Sequence, residues 1–271
     1  MVLRKIFRLM LLSAVLVCVA VGANADELTV TFFNAGKADA CLLQTTNSTV
    51  LIDTGKNKFG KEIVAYLKEN HIEEIDVLFI THFDKDHVGG ADTVLEEMKV
   101  HQIYEPSYFS DSKQYTQYRE ALDAAGVQTE TLEQNIAFEL DGVSYIVDVA
   151  NQSDYGEDEE NDFSLVIAAT YGESSFLFAG DAENPRLGEL LSEGIGQYDV
   201  LKVPHHGRAE KLSASFFQTI RPQYAVITSD EEELEEQTVV NMLKQYGQVY
   251  LTRLGNVVCT TDGKNISVVQ K

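Results

Sequence analysis

Four of the six histidines of this chain fall in two short clusters, His82 with His87 and His205 with His206. The first cluster is interleaved with carboxylates in the run Thr81-His82-Phe83-Asp84-Lys85-Asp86-His87. Imidazole and carboxylate together form a borderline donor set suited to zinc, manganese or iron. Both clusters follow directly on apolar runs, residues 75–80 and 198–203. Between them lies Phe176-Leu177-Phe178-Ala179-Gly180-Asp181, a third apolar run that ends in a carboxylate, with Gly180 allowing close backbone approach. In layered α/β folds, side chains just past strand C-termini project into the crevice where ligands bind. Three strand ends are therefore expected to bring His82, Asp84, Asp86, His87, Asp181 and one of His205 and His206 to one place. Six such groups exceed what one metal needs and predict a pair of divalent ions about 3.5–4 Å apart, zinc or manganese, with Asp181 placed to bridge. A lone histidine is more often a satisfied core or surface residue; the density of this cluster reverses that reading.

The elements that must hold these residues follow from periodicity. Short strands are expected over 28–33, 40–45 and 49–53, the last two joined by the polar turn Thr46-Asn47-Ser48. A helix fits 61–70, with Ile63, Tyr66 and Leu67 on one face. The run 75–80 is apolar at nearly every position, the mark of a strand buried on both faces. Helices follow over 91–98 and 112–125, then strands over 143–149, 163–171 and 175–179, with an acidic loop at 154–162. A helix is expected to start at Asn184-Pro185, a capping side chain followed by proline. Beyond it come a strand over 198–203, a helix over 214–220, a strand over 223–228, and a helix over 232–246 that opens on acids and ends before Gly247. Strands over 248–252, 256–261 and 265–270 close the chain, the last two joined by Asp262-Gly263, a favoured hairpin turn. No Pro/Gly/Ser-rich linker divides the two halves. One domain of two packed sheets with helices outside explains this order; a doubly wound parallel sheet is the alternative, disfavoured by the hairpins at both ends.

The run Thr81-His82-x-Asp84-x-Asp86-His87-x-Gly89-Gly90 resembles the first metal motif of the metallo-β-lactamase superfamily, in the variant where the second histidine of H-x-H-x-D-H is an aspartate. That variant is similar to the hydrolase domain of ComEC-type DNA-uptake proteins. The resemblance continues through residues 28–40, Leu51-Ile52-Asp53-Thr54-Gly55, Asn161-Asp162-Phe163-Ser164, Gly180-Asp181, Val203-Pro204-His205-His206-Gly207 and Thr260-Thr261-Asp262-Gly263. It implies a four-layer αββα domain with the site at one edge of the sheet sandwich. It also implies His82 and Asp84 on a first metal, Asp86 and His87 on a second, and Asp181 on both. His206 is then the last ligand and His205 a neighbouring or substrate-contacting residue. Asn161 stands near where many relatives carry a further histidine, which implies weaker binding of the first metal. Asn34, Ala38 and Arg208 depart from the usual aspartate, glycine and serine, and bear on the substrate more than on the metal.

Such a site supports hydrolysis, in which water activated by metal attacks an ester, amide or phosphodiester while the developing negative charge is held. The candidate catalytic side chains are Asp86, His205 and Lys202. Lys202, like Arg208, is a cation available to a phosphate or, on the plainer reading, a surface charge. A phosphodiesterase or nuclease is the first expectation. A carbon-ester or lactam hydrolase, made less fitting by Asp84, and an exported binding protein with a vestigial metal site are the alternatives.

Residues 1–25 read as a secretory signal: Arg4, Lys5 and Arg8, an apolar run over 9–21, and the small-x-small pattern Ala23-Asn24-Ala25. The domain is expected over 26–271, secreted or extracytoplasmic. The apolar run is shorter than the roughly 20 residues that span a bilayer. Removing residues 1–25 changes the formal charge from −22 to −25. A duplex-binding protein normally presents a basic face to the phosphates, so this acidity disfavours nonspecific nucleic-acid binding and leaves a phosphodiester-containing substrate as the expected partner. Cys41 and Cys259 lie in apolar stretches and are expected to be buried thiols in preference to a bridge.

Overall fold

The computed structural model describes residues 27–156 and 160–271; the expected signal segment lies outside them. The first half runs β1 (Leu28–Phe32), β2 (Cys41–Gln44), β3 (Thr49–Ile52), α1 (Phe59–Glu69), β4 (Glu74–Phe79), α2 (Ala91–Glu97), β5 (Lys99–Pro106), α3 (Lys113–Ala125) and β6 (Gln128–Leu132). The second runs β7 (Ile136–Leu140), β8 (Val143–Asp148), β9 (Val166–Tyr171), β10 (Ser174–Phe178), α4 (Asn184–Glu193), β11 (Val200–Lys202), α5 (Ser213–Ile220), β12 (Tyr224–Ile227), α6 (Gln237–Leu243) and β13 (Gln248–Leu251), before the hairpin β14 (Val257–Thr261) and β15 (Ile266–Gln270).

Two mixed sheets result. One has the order β15-β14-β1-β2-β3-β4-β5-β6 and the other β13-β12-β11-β10-β9-β8-β7. The closing hairpin does not extend the second sheet. It crosses to the first, where β14 pairs antiparallel with β1. The doubly wound alternative is thereby excluded.

Three apolar layers account for the four-layer stack. Phe32, Phe79, Tyr145, Phe176 and Phe178 fill the space between the sheets, with Phe32 and Phe178 stacked at 5.7 Å. On the outer face of the first sheet, Leu51, Leu78 and Ile80 meet Ile63 and Leu67 of α1, Val94 of α2 and Tyr118 of α3. On the outer face of the second, Leu177, Leu201 and Ile227 meet Leu187 of α4, Phe216 of α5 and Val239 of α6. This explains why β4 is apolar without alternation: Val77 and Phe79 face the inter-sheet core while Leu78 and Ile80 face helices. Each side chain buried this way contributes about 1.5–3 kcal/mol.

Several elements differ from the sequence expectation. Strands β5, β6 and β7 carried no recognised pattern: β5 mixes Lys99, His101, Gln102 and Glu105 among its apolar residues, while β6 and β7 are edge strands with few fully buried positions. Asn184 is not the cap of α4. Glu183 takes that position, and the Asn184 amide instead accepts from Leu212 N–H at 3.0 Å and donates to Glu210. Helix α6 starts five residues later than expected because the Asp230 carboxylate accepts the Glu232 and Glu233 N–H groups and holds them in a turn. Residues 160–163 form a 3₁₀ turn, so β9 begins at Val166.

Cys41 and Cys259 are buried free thiols. Cys41 faces Phe32 across one edge of β1 and Cys259 faces Val30 across the other. A whole strand separates them, about 9–10 Å at normal strand spacing, too far for a disulfide.

Candidate metal centre

The parallel strands of both sheets end at the same edge of the sandwich. β3 is followed by Asp53, β4 by Thr81 and His82, β10 by Asp181, β11 by His205 and His206, and β12 by Thr228. The metal loop is fastened there by its backbone: Thr54 N–H donates to His87 O at 2.8 Å, Asp39 N–H to Asp86 O at 3.0 Å, and Gly90 N–H to Gly55 O at 3.1 Å. Gly90 has an ordinary right-handed conformation. Glycine is needed because a Cβ there would stand 2.4 Å from Thr54 O. Gly180 does take a left-handed conformation, and a Cβ on it would meet Ser164 Oγ at 2.7 Å.

Asp181 lies at the centre. Its Oδ1 is 3.3 Å from His87 Nε2 and its Oδ2 is 3.1 Å from His206 Nε2. Asp86 Oδ2 is 3.6 Å from the same His206 nitrogen, and Asp84 Oδ2 is 4.0 Å from His82 Nε2. His82, His87 and Asp181 offer ligand atoms within 4.8 Å of one another. The Nε2 atoms of His82, His87 and His206 are all buried and without a hydrogen-bond partner. Three buried imidazole nitrogens left this way, each costly unless satisfied, fit ligands to divalent metal. The structure brings the expected residues to one place, with His206 Nε2 beside Asp181 and His205 turned toward Glu183.

The opposite edge of each ring is occupied. His87 Nδ1 is 2.8 Å from Asp53 Oδ2, and His206 Nδ1 is 2.9 Å from Thr228 Oγ1. His82 Nδ1 lies 3.1 Å from Thr81 Oγ1. Such contacts fix the tautomer and leave Nε2 for the ligand role. Asp53 is fully buried, stands on left-handed backbone, and also accepts from Thr81 N–H at 2.8 Å and Thr81 Oγ–H at 2.7 Å.

Charge is balanced within the cluster. Burial would raise the Asp181 carboxyl, yet His206, His87 and Lys202 hold it well below the usual range. Asp86 is likewise held low against its burial by His206 and His87. Burial depresses His82 and keeps it a neutral imidazole, whereas Asp181, Asp53 and Asp39 raise His87 in spite of burial. Asp84 is pushed up to about 7 by burial and by the neighbouring Glu160 carboxylate. Ligands must shed their protons to bind metal, so protons on Asp84, His87 and His206 would each compete with an ion placed there.

Lys202 is neither a surface cation nor presented to a substrate. Its side chain is 1% exposed, its ammonium donates to Gly180 O at 2.9 Å, and it is ion-paired with Asp39 and with Asp181 Oδ1, the latter at 3.4 Å. It lies beneath the site and neutralises two carboxylates. His205 points elsewhere than His206: its Nδ1 is 3.1 Å from Glu183 Oε1 and 3.9 Å from Glu210 Oε1. Asn161 donates to Glu183 Oε1 at 2.8 Å. Sequence reasoning gave no role to Asp39, Asp53 or Thr228. The rule that selected Asp181, a polar residue one to three positions past an apolar strand, applies equally to Asp53 and Thr228.

Comparison with known proteins agrees with this geometry. A family model described as the metallo-beta-lactamase superfamily matches residues 34–228. ComE operon protein 3 of Bacillus subtilis is 27% identical over 62% of this chain and 22% of its own length. Recombination protein 2 of Haemophilus influenzae is 29% identical over 72% of this chain and 23% of its own. The chain thus spans about a quarter of these relatives. Among solved structures, the metallo-beta-lactamase fold protein YhfI from Bacillus subtilis is similar with a TM-score of 0.54, 11% identity, and coverage of 83% of this chain and 96% of that one. CmlA, a diiron beta-hydroxylase from Streptomyces venezuelae, gives a TM-score of 0.55 at 12% identity, covering 92% and 55%. With the αββα layers, the edge site and the family match over most of its length, the chain belongs to the metallo-β-lactamase superfamily.

Proposed function

We propose that the protein is an exported, metal-dependent hydrolase of phosphodiesters. The observation that carries the reading is the Asp181 carboxylate with one oxygen at His87 Nε2 and the other at His206 Nε2, among buried imidazole nitrogens that have no other partner. Two divalent ions held there, zinc or manganese, would supply Lewis acidity toward a phosphoryl group and an activated water. His82 and Asp84 would hold one ion, Asp86, His87 and His206 the other, and Asp181 both. Asp53 and Thr228 orient the rings, and Lys202, paired with Asp39, helps keep Asp181 ionised. Export rests on the basic, apolar and small-residue pattern of residues 1–25.

A local charge reversal supports an anionic substrate. Lys56, Lys58 and Lys85 line a pocket of about 460 Å³ together with Asn57, Phe59, Gln114 and a single carboxylate, Glu62. Lys85 sits between the two aspartates of the metal loop, and none of the three lysines is in an ion pair among the described residues. On a chain of net charge −22, unpaired cations beside the metal loop favour a phosphate-bearing ligand. The resemblance to the hydrolase domain of ComEC-type DNA-uptake proteins, with a relative named for recombination, supports a nucleic-acid strand as that ligand.

The test is release of product from bis(p-nitrophenyl) phosphate and from a single-stranded oligonucleotide under manganese and under zinc, with nitrocefin as the lactam control. Turnover of a phosphodiester that Asp181→Asn abolishes is the expected result. No turnover of either phosphodiester with either metal overturns the reading.

A further inference from the structure

Beside the dinuclear cluster lies a second group of ligand atoms. Glu183, His205 and Glu210 offer one atom each, all within 4.8 Å of one another. Glu183 follows Asp181 by two residues at the start of α4, His205 precedes His206, and Glu210 lies on the way to α5. The group therefore flanks the centre described above without sharing a residue with it.

The histidine is what distinguishes this group from an ordinary acidic patch. The His205 side chain is only 9% exposed, and its Nδ1 is a buried atom with no hydrogen-bond partner. Glu183 Oε1 is near enough, at 3.1 Å, but does not lie where a ring N–H would need it. With metal–ligand bonds of about 2.0–2.2 Å, two ligands at a tetrahedral angle stand about 3.4 Å apart. The distances of 3.1 and 3.9 Å from Nδ1 to the two carboxylates straddle that value. Amides position both glutamates: Asn184 donates to Glu210 Oε2, leaving Oε1 toward His205, and Asn161 donates to Glu183 Oε1, the oxygen that faces His205. The Oδ1 of Asn161 is itself buried without a partner.

We infer that Glu183, His205 and Glu210 form a third, peripheral site for a divalent cation of the same borderline class, zinc or manganese. One imidazole and two carboxylates match that class. The site would also add a side-chain hold to the His205-His206 corner, where the His205 backbone is already bonded to Gly180 O and Arg208 N–H. Both residues stand on left-handed backbone, at φ of 49° and 50°, a conformation that persists only where surrounding contacts enforce it. His206 is enforced by Thr228 and the dinuclear ligands. An ion on Nδ1 would do the same for His205.

The experiment is metal analysis of the protein after loading with manganese, and separately with zinc, followed by desalting. The wild type is compared with Glu210→Gln, Glu183→Gln and Asp181→Asn, and circular dichroism establishes that each is folded. The expected result is that either glutamine variant holds one ion per chain fewer than the wild type, with the remaining ions unaffected. A Glu210→Gln protein that retains the full wild-type complement with both metals overturns the site and leaves the group a simple ion pair. Asp181→Asn separates the two centres: its ion loss reports on the dinuclear cluster alone, so a failure of that cluster is read independently of the glutamine variants.

Discussion

The Asp53 carboxylate and the His87 ring are joined at 2.8 Å, Oδ2 to Nδ1, with both side chains buried. This one contact links the end of β3 to the end of the metal loop and turns His87 Nε2 toward Asp181. It sets the position of a candidate ligand nitrogen through a carboxylate that is itself taken up by His87 and Thr81.

Asp53→Asn keeps the shape and an acceptor for Nδ1 but removes the charge that stabilises the imidazole as a ligand. Changes of this kind lower metal affinity about 10–100-fold. Competition with a chelator of known affinity measures it, and an unchanged affinity would contradict the role.

Lys202→Met exposes the buried Asp39 and Asp181 carboxylates to each other. Removing one partner of a buried ionic group typically costs about 3–5 kcal/mol. The loss is expected in full in the metal-free protein and in smaller measure with manganese bound, since cations at Asp181 replace part of the missing charge. Urea unfolding with EDTA and with manganese gives both values.

Gly90→Ala places a methyl group 2.4 Å from Thr54 O. Overpacking of this kind costs about 1–3 kcal/mol. Because the obstruction is backbone on the metal loop's own support, metal affinity should fall along with the denaturant midpoint. Loss of stability with unchanged affinity would uncouple the glycine pair from the site.

Both thiols are held protonated by burial, Cys41 well above its usual range and Cys259 at about 12. Neither is expected to react with an aromatic disulfide reagent at pH 8 in the folded protein, and both should react once urea unfolds it. Mass spectrometry of the labelled peptides identifies which thiol reacted.

The legibility of the site from sequence was uneven for physical reasons. His82, Asp84, Asp86 and His87 could be read directly because one loop carries them all. Asp181 and the second histidine pair were reached by the rule that strand C-termini project into a crevice, and the structure places them as that rule requires. Lys202 was misjudged because its neighbours in sequence, Leu201 and Val203, say nothing of Asp39, which approaches from the other sheet. The lysine-lined pocket was likewise invisible: Lys56, Lys58 and Lys85 come from two separate segments, and a scan for basic runs passes over them.

The sequence by itself determined the strand and helix order of the well-patterned segments, the ligand types and the superfamily, because these depend on local periodicity and on motifs confined to a few residues. Tertiary structure alone decided that the closing hairpin joins the first sheet, that His206 faces Asp181 while His205 faces Glu183 and Glu210, and that Lys202 is buried. Each of those outcomes turns on which two distant segments meet at a strand edge, and no spacing along the chain encodes that meeting.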